Sequence, residues 1–422
     1  MHDVREAKAS LFERALAALG RRASETRAWW VPGRIEFLGK HTDYCGGPSL
    51  VCAVESGFAV AAAARGDRRV LVHDAQSGER AEAELSAELV PPRSHWANYP
   101  FTVVRRVARN FPGALHGVDL AFASDLPPAA GLSSSSALIV ATFLALADVN
   151  DLERRPECRD AIRSREDLAA YLGAVENGDG FRSLAGDRGV GTQGGSQDHT
   201  AILCARPGAL VQYAFAPIRF EREVPLPNDH VFVVAASGVV AAKTGDALAR
   251  YNRASSMARR ALEQWHAATG STAPTLAAAL AETADGIDRF RVLLGGNPEL
   301  RQRVEQFHAE SGFVREAGEA MTRGDIDRVG ALVDRSQANA EQLLGNQVPE
   351  TIALARTARE LGSRAASAFG AGFGGSVYAL VRSSDAKEFL GRWAARYADA
   401  FPHRAQAATF FLTGAGQPAS TR

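Results

Sequence analysis

Three short motifs rich in small residues constrain the fold of this chain more than any other feature of its sequence. They read PGRIEFLGKHTDY at residues 32–44, GLSSSSA at 131–137 and GAGFGG at 370–375. Small residues let a backbone loop approach a ligand closely, and glycine also permits positive φ angles. No single motif is decisive, and the interpretation rests on all three occurring together in this order.

The composition indicates a large globular protein with no strong overall charge. The chain has 422 residues, of which 46% are hydrophobic, so it can bury a large core, and its length favours two or three domains. Lysine plus arginine and aspartate plus glutamate number 48 each. This balance gives no general attraction to nucleic acid or to an anionic membrane, so we expect neither as a partner, although a local basic cleft would suffice for a small anion.

The cysteines and the N-terminus favour a cytoplasmic protein. Cys45, Cys52, Cys158 and Cys204 show no CxxC or Cys/His metal spacing. So few cysteines in a long chain suit a reducing compartment, where we expect all four to be thiols. Residues 1–19 carry charges throughout and lack the apolar core of a signal peptide, and no stretch approaches the length needed to span a bilayer.

Hydrophobic periodicity predicts mixed strands and helices in the first half of the chain and more helix in the second half. Helical spacing occurs at 4–19, 99–111, 137–148 and 246–268, and strand-like runs occur at 49–63, 70–73, 120–123, 231–236 and 377–381. Three prolines interrupt a polar stretch at 216–228, between two predicted strands. We therefore expect domains at residues 1–222 and 223–422, with a frayed tail from residue 414 onward.

The serine motif is a candidate phosphate loop. It precedes an apolar helical pattern at 138–147. The free N–H groups and the positive dipole end at a helix start favour anions, and serine hydroxyls can bind phosphate or complete a magnesium shell. The loop would do the work of a Walker loop, whose GxxxxGK[ST] pattern is absent. The alternative is an ordinary serine N-cap followed by a turn.

Together the three motifs resemble the galactokinase branch of the superfamily that also holds homoserine, mevalonate and phosphomevalonate kinases (GHMP kinases), over about residues 30–381. The resemblance implies an α+β, two-domain GHMP kinase fold. The N-terminal domain would hold the first two motifs, the C-terminal domain the third, and the active site would lie in the cleft between them. It also implies ATP and Mg²⁺ as cofactors and phosphoryl transfer to the anomeric hydroxyl of galactose or a related sugar.

The resemblance assigns a set of nucleotide and metal residues. The residues implied for ATP binding are Trp96, Tyr99, Gly131, Leu132, Ser133, Ser134, Ser135 and Ser136. Ser135 and Glu176 match the hydroxyl and the carboxylate that share the metal, and both are hard oxygen ligands of the kind Mg²⁺ prefers. Trp96 would contact the adenine base through its aromatic face, although a core tryptophan is an equal alternative.

The segment GGSQDH at 194–199 resembles the one that presents the catalytic aspartate in sugar kinases, so Asp198 is the predicted catalytic carboxylate. Such a group orients the acceptor hydroxyl and takes its proton. Arg34 should face it, keep Asp198 ionised and stabilise charge developing on the phosphoryl group. Without the resemblance, Asp198 would be read as a turn residue and Arg34 as part of a surface ion pair.

This segment departs from the usual Gly-Ile-Met-Asp-Gln of galactokinases. Gln197 replaces the methionine and His199 replaces the glutamine. Residues 181–190 resemble an inserted loop, which lengthens the spacing between Glu176 and Asp198. The spacing of Glu176 thus departs from the family pattern, whereas Asp198 keeps its place in the motif.

The first motif is the predicted sugar-binding segment. The residues implied for substrate binding are Lys40, His41, Asp43, Tyr44, Gly195 and Tyr251. The family pattern is Gly-Arg-x-Asn-x-x-Gly-Glu-His-x-Asp-Tyr, so Glu36 stands for the asparagine and Lys40 for the glutamate. A tyrosine such as Tyr251 can stack on a pyranose, although core packing on a helix is an almost equal alternative.

Lys40 leaves the identity of the sugar open. A lysine donates hydrogen bonds and cannot accept them, so a contact with the sixth carbon of the sugar would favour a uronic acid. Alternatively, Lys40 turns to the solvent or pairs with Glu36, and a neutral sugar binds to Asp43 and His41.

Two further functions compete with galactose phosphorylation. The first is a kinase for a uronic acid, another hexose or a non-sugar alcohol. The second is a galactokinase-like sensor that binds ATP and sugar without turnover, in which the loop at 181–190 could serve a protein partner. The intact Arg34, Asp198 and serine motif count against the sensor.

Overall fold

The structure is a computed structural model that describes residues 2–93, 95–240 and 245–422. Its α-helices are α1 (His2–Leu19), α2 (Asn98–Asn110), α3 (Ser134–Val149), α4 (Pro156–Ala161), α5 (Arg165–Asn177), α6 (Gln197–Cys204), α7 (Gly245–Thr269), α8 (Leu276–Leu280), α9 (Gly286–Leu293), α10 (Pro298–Thr322), α11 (Ile326–Asn339), α12 (Pro349–Glu360) and α13 (Ala386–Ala400). Its β-strands are β1 (Thr26–Leu38), β2 (Pro48–Ala64), β3 (Arg69–Asp74), β4 (Arg80–Glu84), β5 (Val118–Ser124), β6 (Ala209–Ala214), β7 (Arg219–Pro225), β8 (His230–Ala236), β9 (Ala365–Phe369), β10 (Ser376–Arg382), β11 (Thr409–Thr413) and β12 (Ser420–Thr421). Every helix and strand predicted above has a counterpart among them.

Two β-sheets organise the chain. In the first sheet the order is β12, β1, β2, β5, β3 and β4, and β6 and β7 extend from β2. In the second sheet the order is β11, β8, β10 and β9. The first sheet carries the first motif on β1, whereas the loop of the third motif joins β9 to β10 in the second sheet. The two motifs therefore approach the site from different sheets.

The long antiparallel pair of β1 and β2 positions the first motif. Its regular register is interrupted at Gly33 and again at Phe37. At the first interruption the backbones are so close that a Cβ on Gly33 would lie 2.9 Å from the carbonyl oxygen of Leu132. The N–H of Arg34 donates to the same oxygen over 3.2 Å. The strand is therefore tied directly to the serine motif.

Burial of α3 fixes the position of its first turn. Most of its side chains are apolar and buried, and the helix packs against α2 and against β1, β2 and β5. A helix that is hydrophobic on nearly all sides lies inside the protein. Its N-terminal end is thereby held beside β1.

The chain passes from the first sheet to the second between β7 and β8. β7 belongs to the first sheet and ends at Pro225. We therefore propose a domain boundary at 226–229, because a boundary between residues 222 and 223 would divide this strand.

The C-terminal residues return to the first sheet. Thr421 pairs with Trp29 of β1, and the N–H of Arg422 donates to the carbonyl oxygen of Ala28 over 2.9 Å. The expectation of a frayed tail from residue 414 is therefore wrong, because β1 offers the tail a strand edge with which to pair.

The second sheet also contacts the first domain directly. The hydroxyl of Tyr378 donates to the carbonyl oxygen of Phe37 over 2.7 Å, and that of Ser376 donates to the carbonyl oxygen of Ala130 over 2.6 Å. Both bonds are buried, so they join the two domains next to the cleft.

The four cysteines are buried and unpaired, which confirms the expectation of thiols.

Within the described ranges, no helix combines the length and the apolar character needed to cross a membrane.

Candidate active site

A cavity of about 340 Å³ lies where β1, the starts of α3 and α6, and the loop at 370–375 meet. The predicted residues in its wall are Arg34, His41, Asp43, Tyr44, Trp96, Tyr99, Gly131, Ser133, Ser134, Ser135, Glu176, Gly195, Asp198 and Tyr251. Three other predicted residues, Lys40, Leu132 and Ser136, lie outside this wall as the described residues define it. The structure therefore brings most of the predicted residues together in one site.

Arg34 and Asp198 form an ion pair at this cavity although they are 164 residues apart in the sequence. Nε of Arg34 donates to Oδ1 of Asp198 over 2.8 Å, and a second guanidinium nitrogen donates to the carbonyl oxygen of Gly131 over 2.5 Å. The arginine side chain is 4% exposed and the aspartate side chain is 22% exposed. The cation is thus fixed between the carboxylate and the serine motif, and the carboxylate stays accessible from the cavity.

Asp198 lies in the first turn of α6, where the helix dipole favours a negative charge. The preceding turn packs tightly against Asp43, because a Cβ on Gly195 would lie 2.2 Å from Oδ2 of Asp43. The N–H of Gln197 donates to the same oxygen over 3.0 Å. Burial raises the pKa of Asp43 to about 6, although hydrogen bonds from Gln197 and Tyr44 oppose this shift.

His41 lies in the turn between β1 and β2 with a φ of 57°. Its Nδ1 is 2.9 Å from the hydroxyl oxygen of Tyr44, and its Nε2 is 3.3 Å from the carbonyl oxygen of Ala371. A carbonyl oxygen only accepts, so Nε2 carries the proton and the Tyr44 hydroxyl donates to Nδ1. Burial, with the Arg303 cation close by, lowers the pKa of His41 to about 4, so the ring is neutral near pH 7.

The serine motif forms the turn into α3. Ser133 has a φ of 62° and α3 begins at Ser134. Ser135 lines the cavity, whereas Ser136 is buried and its hydroxyl donates to Oε2 of Glu176 over 3.0 Å. The structure thus places Ser135 and Glu176 in one wall, with Ser136 as a direct partner of Glu176. The free N–H groups at this helix start suit a phosphate.

Trp96 and Tyr99 lie where this cavity meets a second one of about 640 Å³, and both residues line both cavities. The indole Nε1 of Trp96 donates to Oε2 of Glu79 over 2.6 Å. The indole also packs edge-on against Phe122, with ring centroids 5.9 Å apart. Trp96 both packs against the core and faces the cavities, so the two interpretations of this residue are compatible.

The loop at 181–190 is anchored to α2 beside the second cavity. The guanidinium of Arg106 donates to the carbonyl oxygen of Ala185 over 2.9 Å. Arg105 pairs with Asp187 over 2.9 Å. The end of the loop, residues 188–190, lines the second cavity.

The structure does not bring Lys40 to the cavity, so the predicted sugar contact of this residue needs correction. Lys40 is 1% exposed, and its Nζ donates to the hydroxyl oxygen of Ser336 over 2.9 Å. Ser336 in turn donates to Oε1 of Glu310 over 2.9 Å. A buried ammonium needs oxygen partners, and the partners of Lys40 lie on α10 and α11. Its Nζ therefore points neither to the solvent nor into the cavity. The side chain of Leu132 is likewise buried outside the wall.

Tyr251 of α7 and the start of the loop at 370–375 also line the cavity. A Cβ on Gly194 would lie 2.7 Å from the hydroxyl oxygen of Tyr251. The ring centroid of Tyr251 is 5.9 Å from that of His41. The four glycines of the loop all have positive φ, a conformation that other residues rarely adopt.

Two buried charged residues that the sequence reasoning left unassigned also contact the site. Glu36 lines the cavity beside Arg34. Arg303 of α10 donates to the carbonyl oxygen of His41 over 2.7 Å and to the hydroxyl oxygen of Tyr44 over 3.1 Å. Glu36 lies two residues after Arg34 on one strand, so the two side chains face the same way and the position of Glu36 at the site could have been predicted. The sequence around Arg303 is an ordinary helical pattern and gives no such indication.

Three family descriptions match the chain. Residues 98–205 match the GHMP kinases N terminal domain, residues 317–399 match the GHMP kinases C terminal domain, and residues 17–64 match the galactokinase galactose-binding signature. The last match contains β1 and the turn of His41, Asp43 and Tyr44.

Relatives and solved structures agree with these matches. The galactokinase of Roseiflexus sp. (strain RS-1) is 30% identical over 375 residues, which cover 87% of each chain. That of Chloroflexus aggregans is 28% identical over 382 residues, which cover 88% of each chain. The Lactococcus lactis galactokinase complexed with galactose superposes with a TM-score of 0.79 at 23% identity, over 96% of this chain and 97% of that one. Methanococcus jannaschii mevalonate kinase gives a TM-score of 0.59 at 14% identity, over 94% and 100%.

These comparisons confirm the α+β, two-domain fold that the motifs led us to expect. The resemblance on which the residue assignments rest is confirmed as well.

Proposed function

This chain belongs to the galactokinases of the GHMP kinase superfamily, and from that membership we propose that it transfers the γ-phosphoryl group of ATP to the anomeric hydroxyl of galactose, giving galactose 1-phosphate and ADP. The observation that carries this proposal is the 2.8 Å ion pair of Arg34 and Asp198 beside the start of α3. A cytoplasmic location is part of the proposal, in keeping with the four free thiols.

Asp198 is the group that acts on the acceptor. Its carboxylate accepts a hydrogen bond from the anomeric hydroxyl and takes the proton as that oxygen bonds to the γ-phosphorus and the bond to ADP breaks. The ion pair with Arg34 holds this carboxylate through Oδ1, and Asp198 lies in the cavity wall, where an acceptor hydroxyl can reach it.

Arg34 and the serine motif act on the transferred group. The guanidinium is held by Asp198 and by the carbonyl oxygen of Gly131, so it needs no reorganisation when charge develops on the phosphoryl oxygens. The N–H groups at the start of α3 would bind the nucleotide phosphates, and Trp96 and Tyr99 would contact the base.

Ser135 and Glu176 would hold Mg²⁺, which supplies charge neutralisation between nucleotide phosphates. Within the described residues, no group of three or more His, Cys, Asp or Glu side chains could hold a metal ion by itself. One hydroxyl and one carboxylate in the same wall nevertheless fit a magnesium ion that takes its other ligands from phosphates and water.

The sugar would lie against the first motif. Asp43 and neutral His41 offer hydrogen bonds to hydroxyls, Tyr44 orients the imidazole, and Tyr251 presents an aromatic ring. Gly195 leaves space for Asp43 next to the catalytic turn.

Replacing Ser135 by alanine should raise the Mg²⁺ concentration needed for half-maximal turnover by about 10–100-fold, because one oxygen ligand is lost. Titration of turnover with Mg²⁺ at saturating ATP measures this. Ser136→Ala is the matched comparison, and its shift should be smaller because the Ser136 hydroxyl only positions Glu176. The reverse ranking of the two variants would reassign the metal contact to Ser136.

Replacing Gly195 by alanine should lower kcat/KM for the sugar by about 10–100-fold, since the new methyl group would displace Asp43 and the turn before Asp198. Steady-state kinetics with varied sugar measures the effect. Gly312→Ala on α10 is the control, because a Cβ there meets no atom within 4 Å. Equal kinetics for the two variants would contradict the packing argument.

The function is tested by measuring ATP consumption with galactose, galacturonate, glucuronate, fucose and arabinose, and by locating the phosphate in the product by NMR. We expect turnover with galactose and a phosphate on the anomeric oxygen. The Asp198→Ala variant controls for background hydrolysis. If the protein binds ATP but turns over none of these sugars, the kinase proposal is wrong and the sensor alternative is favoured.

A further inference from the structure

Glu36 presents a buried carboxyl oxygen at the cavity that the protein itself does not satisfy. The side chain is 2% exposed and lines the cavity on the same face of β1 as Arg34. Its Oε2 accepts a hydrogen bond from the N–H of Gly370 over 3.3 Å. Its Oε1 is buried and has no hydrogen-bond partner in the part of the chain that the structure describes. A buried acceptor without a donor is costly, so a donor from a ligand would stabilise this arrangement.

The two nearest cations direct their donors elsewhere. Nζ of Lys40 bonds Ser336. Two nitrogens of Arg34 bond Asp198 and the carbonyl oxygen of Gly131. Both cations attract the Glu36 carboxylate through space, but neither donates a hydrogen bond to Oε1.

The charges around Glu36 favour a neutral hydroxyl of the ligand at this position and disfavour a carboxylate. Asp43 and Asp198 line the same cavity. Burial raises the pKa of Glu36 to about 7, and Asp198 and Glu310 push in the same direction. The carboxylate of a sugar acid placed here would meet acidic groups, with Lys40 turned away from it, whereas a hydroxyl can donate to Oε1 without bringing any charge.

We infer that Oε1 of Glu36 accepts a hydrogen bond from one hydroxyl of the bound sugar, and that Glu36 thereby makes the site specific for neutral sugars over sugar acids. The inference rests on the proposed function and deepens it. The uronic acid alternative that Lys40 raised is thus disfavoured, because the lysine is enclosed by α10 and α11 and a carboxylate stands at the cavity wall instead.

The test compares kcat/KM for galactose with that for its 2-, 3-, 4- and 6-deoxy analogues, in the wild type, Glu36→Gln and Glu36→Leu. We expect Glu36→Leu to lose about 10–100-fold in kcat/KM for galactose, because it removes the acceptor. Glu36→Gln keeps an amide oxygen that can still accept, so its loss should be smaller. The penalty is the factor by which kcat/KM falls from galactose to a deoxy analogue. In Glu36→Leu the penalty for one analogue should shrink by the same factor, because the hydroxyl that it lacks has lost its partner, and in Glu36→Gln this penalty should shrink less. The penalties for the other three analogues should stay as in the wild type.

Glu310→Gln is the matched control. Glu310 is also a buried carboxyl near Lys40, and it accepts hydrogen bonds from the N–H groups of Gly39 and Lys40, but it does not line the cavity as the described residues define it. We expect a lower melting temperature and unchanged penalties for all four analogues. Calorimetric binding of the same sugars gives the same comparison for a variant that has lost turnover.

Galacturonate provides a second arm. In the wild type, kcat/KM for galacturonate should be at least about 100-fold lower than kcat/KM for galactose. In Glu36→Gln this ratio should be smaller by about tenfold. Comparable use of both sugars by the wild type would overturn the inference, as would four unchanged deoxy penalties in Glu36→Leu. Absence of wild-type turnover with galactose and all analogues would instead contradict the proposed function itself.

Discussion

Replacing Asp198 by asparagine should lower kcat by about 10²–10⁴-fold while sugar and ATP binding change only a few-fold. The amide keeps the shape of the carboxylate but cannot take the proton of the acceptor hydroxyl. A coupled assay of ADP release measures kcat, and calorimetry measures binding of each substrate.

The exposed pair of Asp288 and Arg291 on α9 supplies the control for this change. Asp288→Asn removes the same charge outside the cavity wall, as the described residues define it, and should leave kcat unchanged, since exposed ion pairs contribute little. If Asp198→Asn retains near-normal kcat, Asp198 does not act on the acceptor and the mechanism is wrong.

Replacing Arg34 by lysine should lower kcat by about 10²–10³-fold. A lysine keeps one positive charge but cannot bond Asp198 and the carbonyl oxygen of Gly131 with two nitrogens of one rigid plane. Because the arginine and the aspartate act as a unit, the double variant Arg34→Lys with Asp198→Asn should lose much less than the product of the two single losses. Single-turnover kinetics of the three variants measures this coupling.

Arg106→Lys is the matched control for a buried arginine. Arg106 is 1% exposed and donates to the carbonyl oxygens of Asp179, Ala185 and Ala174 outside the cavity wall. Its replacement should lower the melting temperature with a much smaller change in kcat. Equal losses of kcat in Arg34→Lys and Arg106→Lys would show that Arg34 serves stability alone, and fully additive losses with Asp198→Asn would show that the ion pair is not a catalytic unit.

The sequence was sufficient for several elements and for the expectation that Arg34 and Asp198 lie together. The helix α7 is predicted correctly because its apolar residues recur at helical spacing, and β2 is predicted correctly because it is a run of small and apolar residues. Arg34 and Asp198 could be placed together because each lies in a motif that the family shares. Their contact itself spans 164 positions, so periodicity alone would not have revealed it.

The orientation of Lys40 could not be read from the sequence. The partner of its Nζ, Ser336 on α11, lies 296 residues further along the chain. Glu310 on α10, which accepts from Ser336, lies 270 residues further along. A lysine in a loop is usually solvated. Lys40 is buried because those two helices pack against it. The same limit applies to Ser135 and Ser136, since the rotation of the first turn of α3 decides which hydroxyl faces the cavity and which faces Glu176.

The buried Arg303 links the assembly of the sugar site to the order of protein synthesis. It reaches from α10, which ends at Thr322, to the turn of His41 and Tyr44. While the ribosome has produced only the first domain, this turn lacks the two hydrogen bonds from Arg303. We therefore expect galactose to stabilise the nascent chain only after α10 has been synthesised and has packed against this turn.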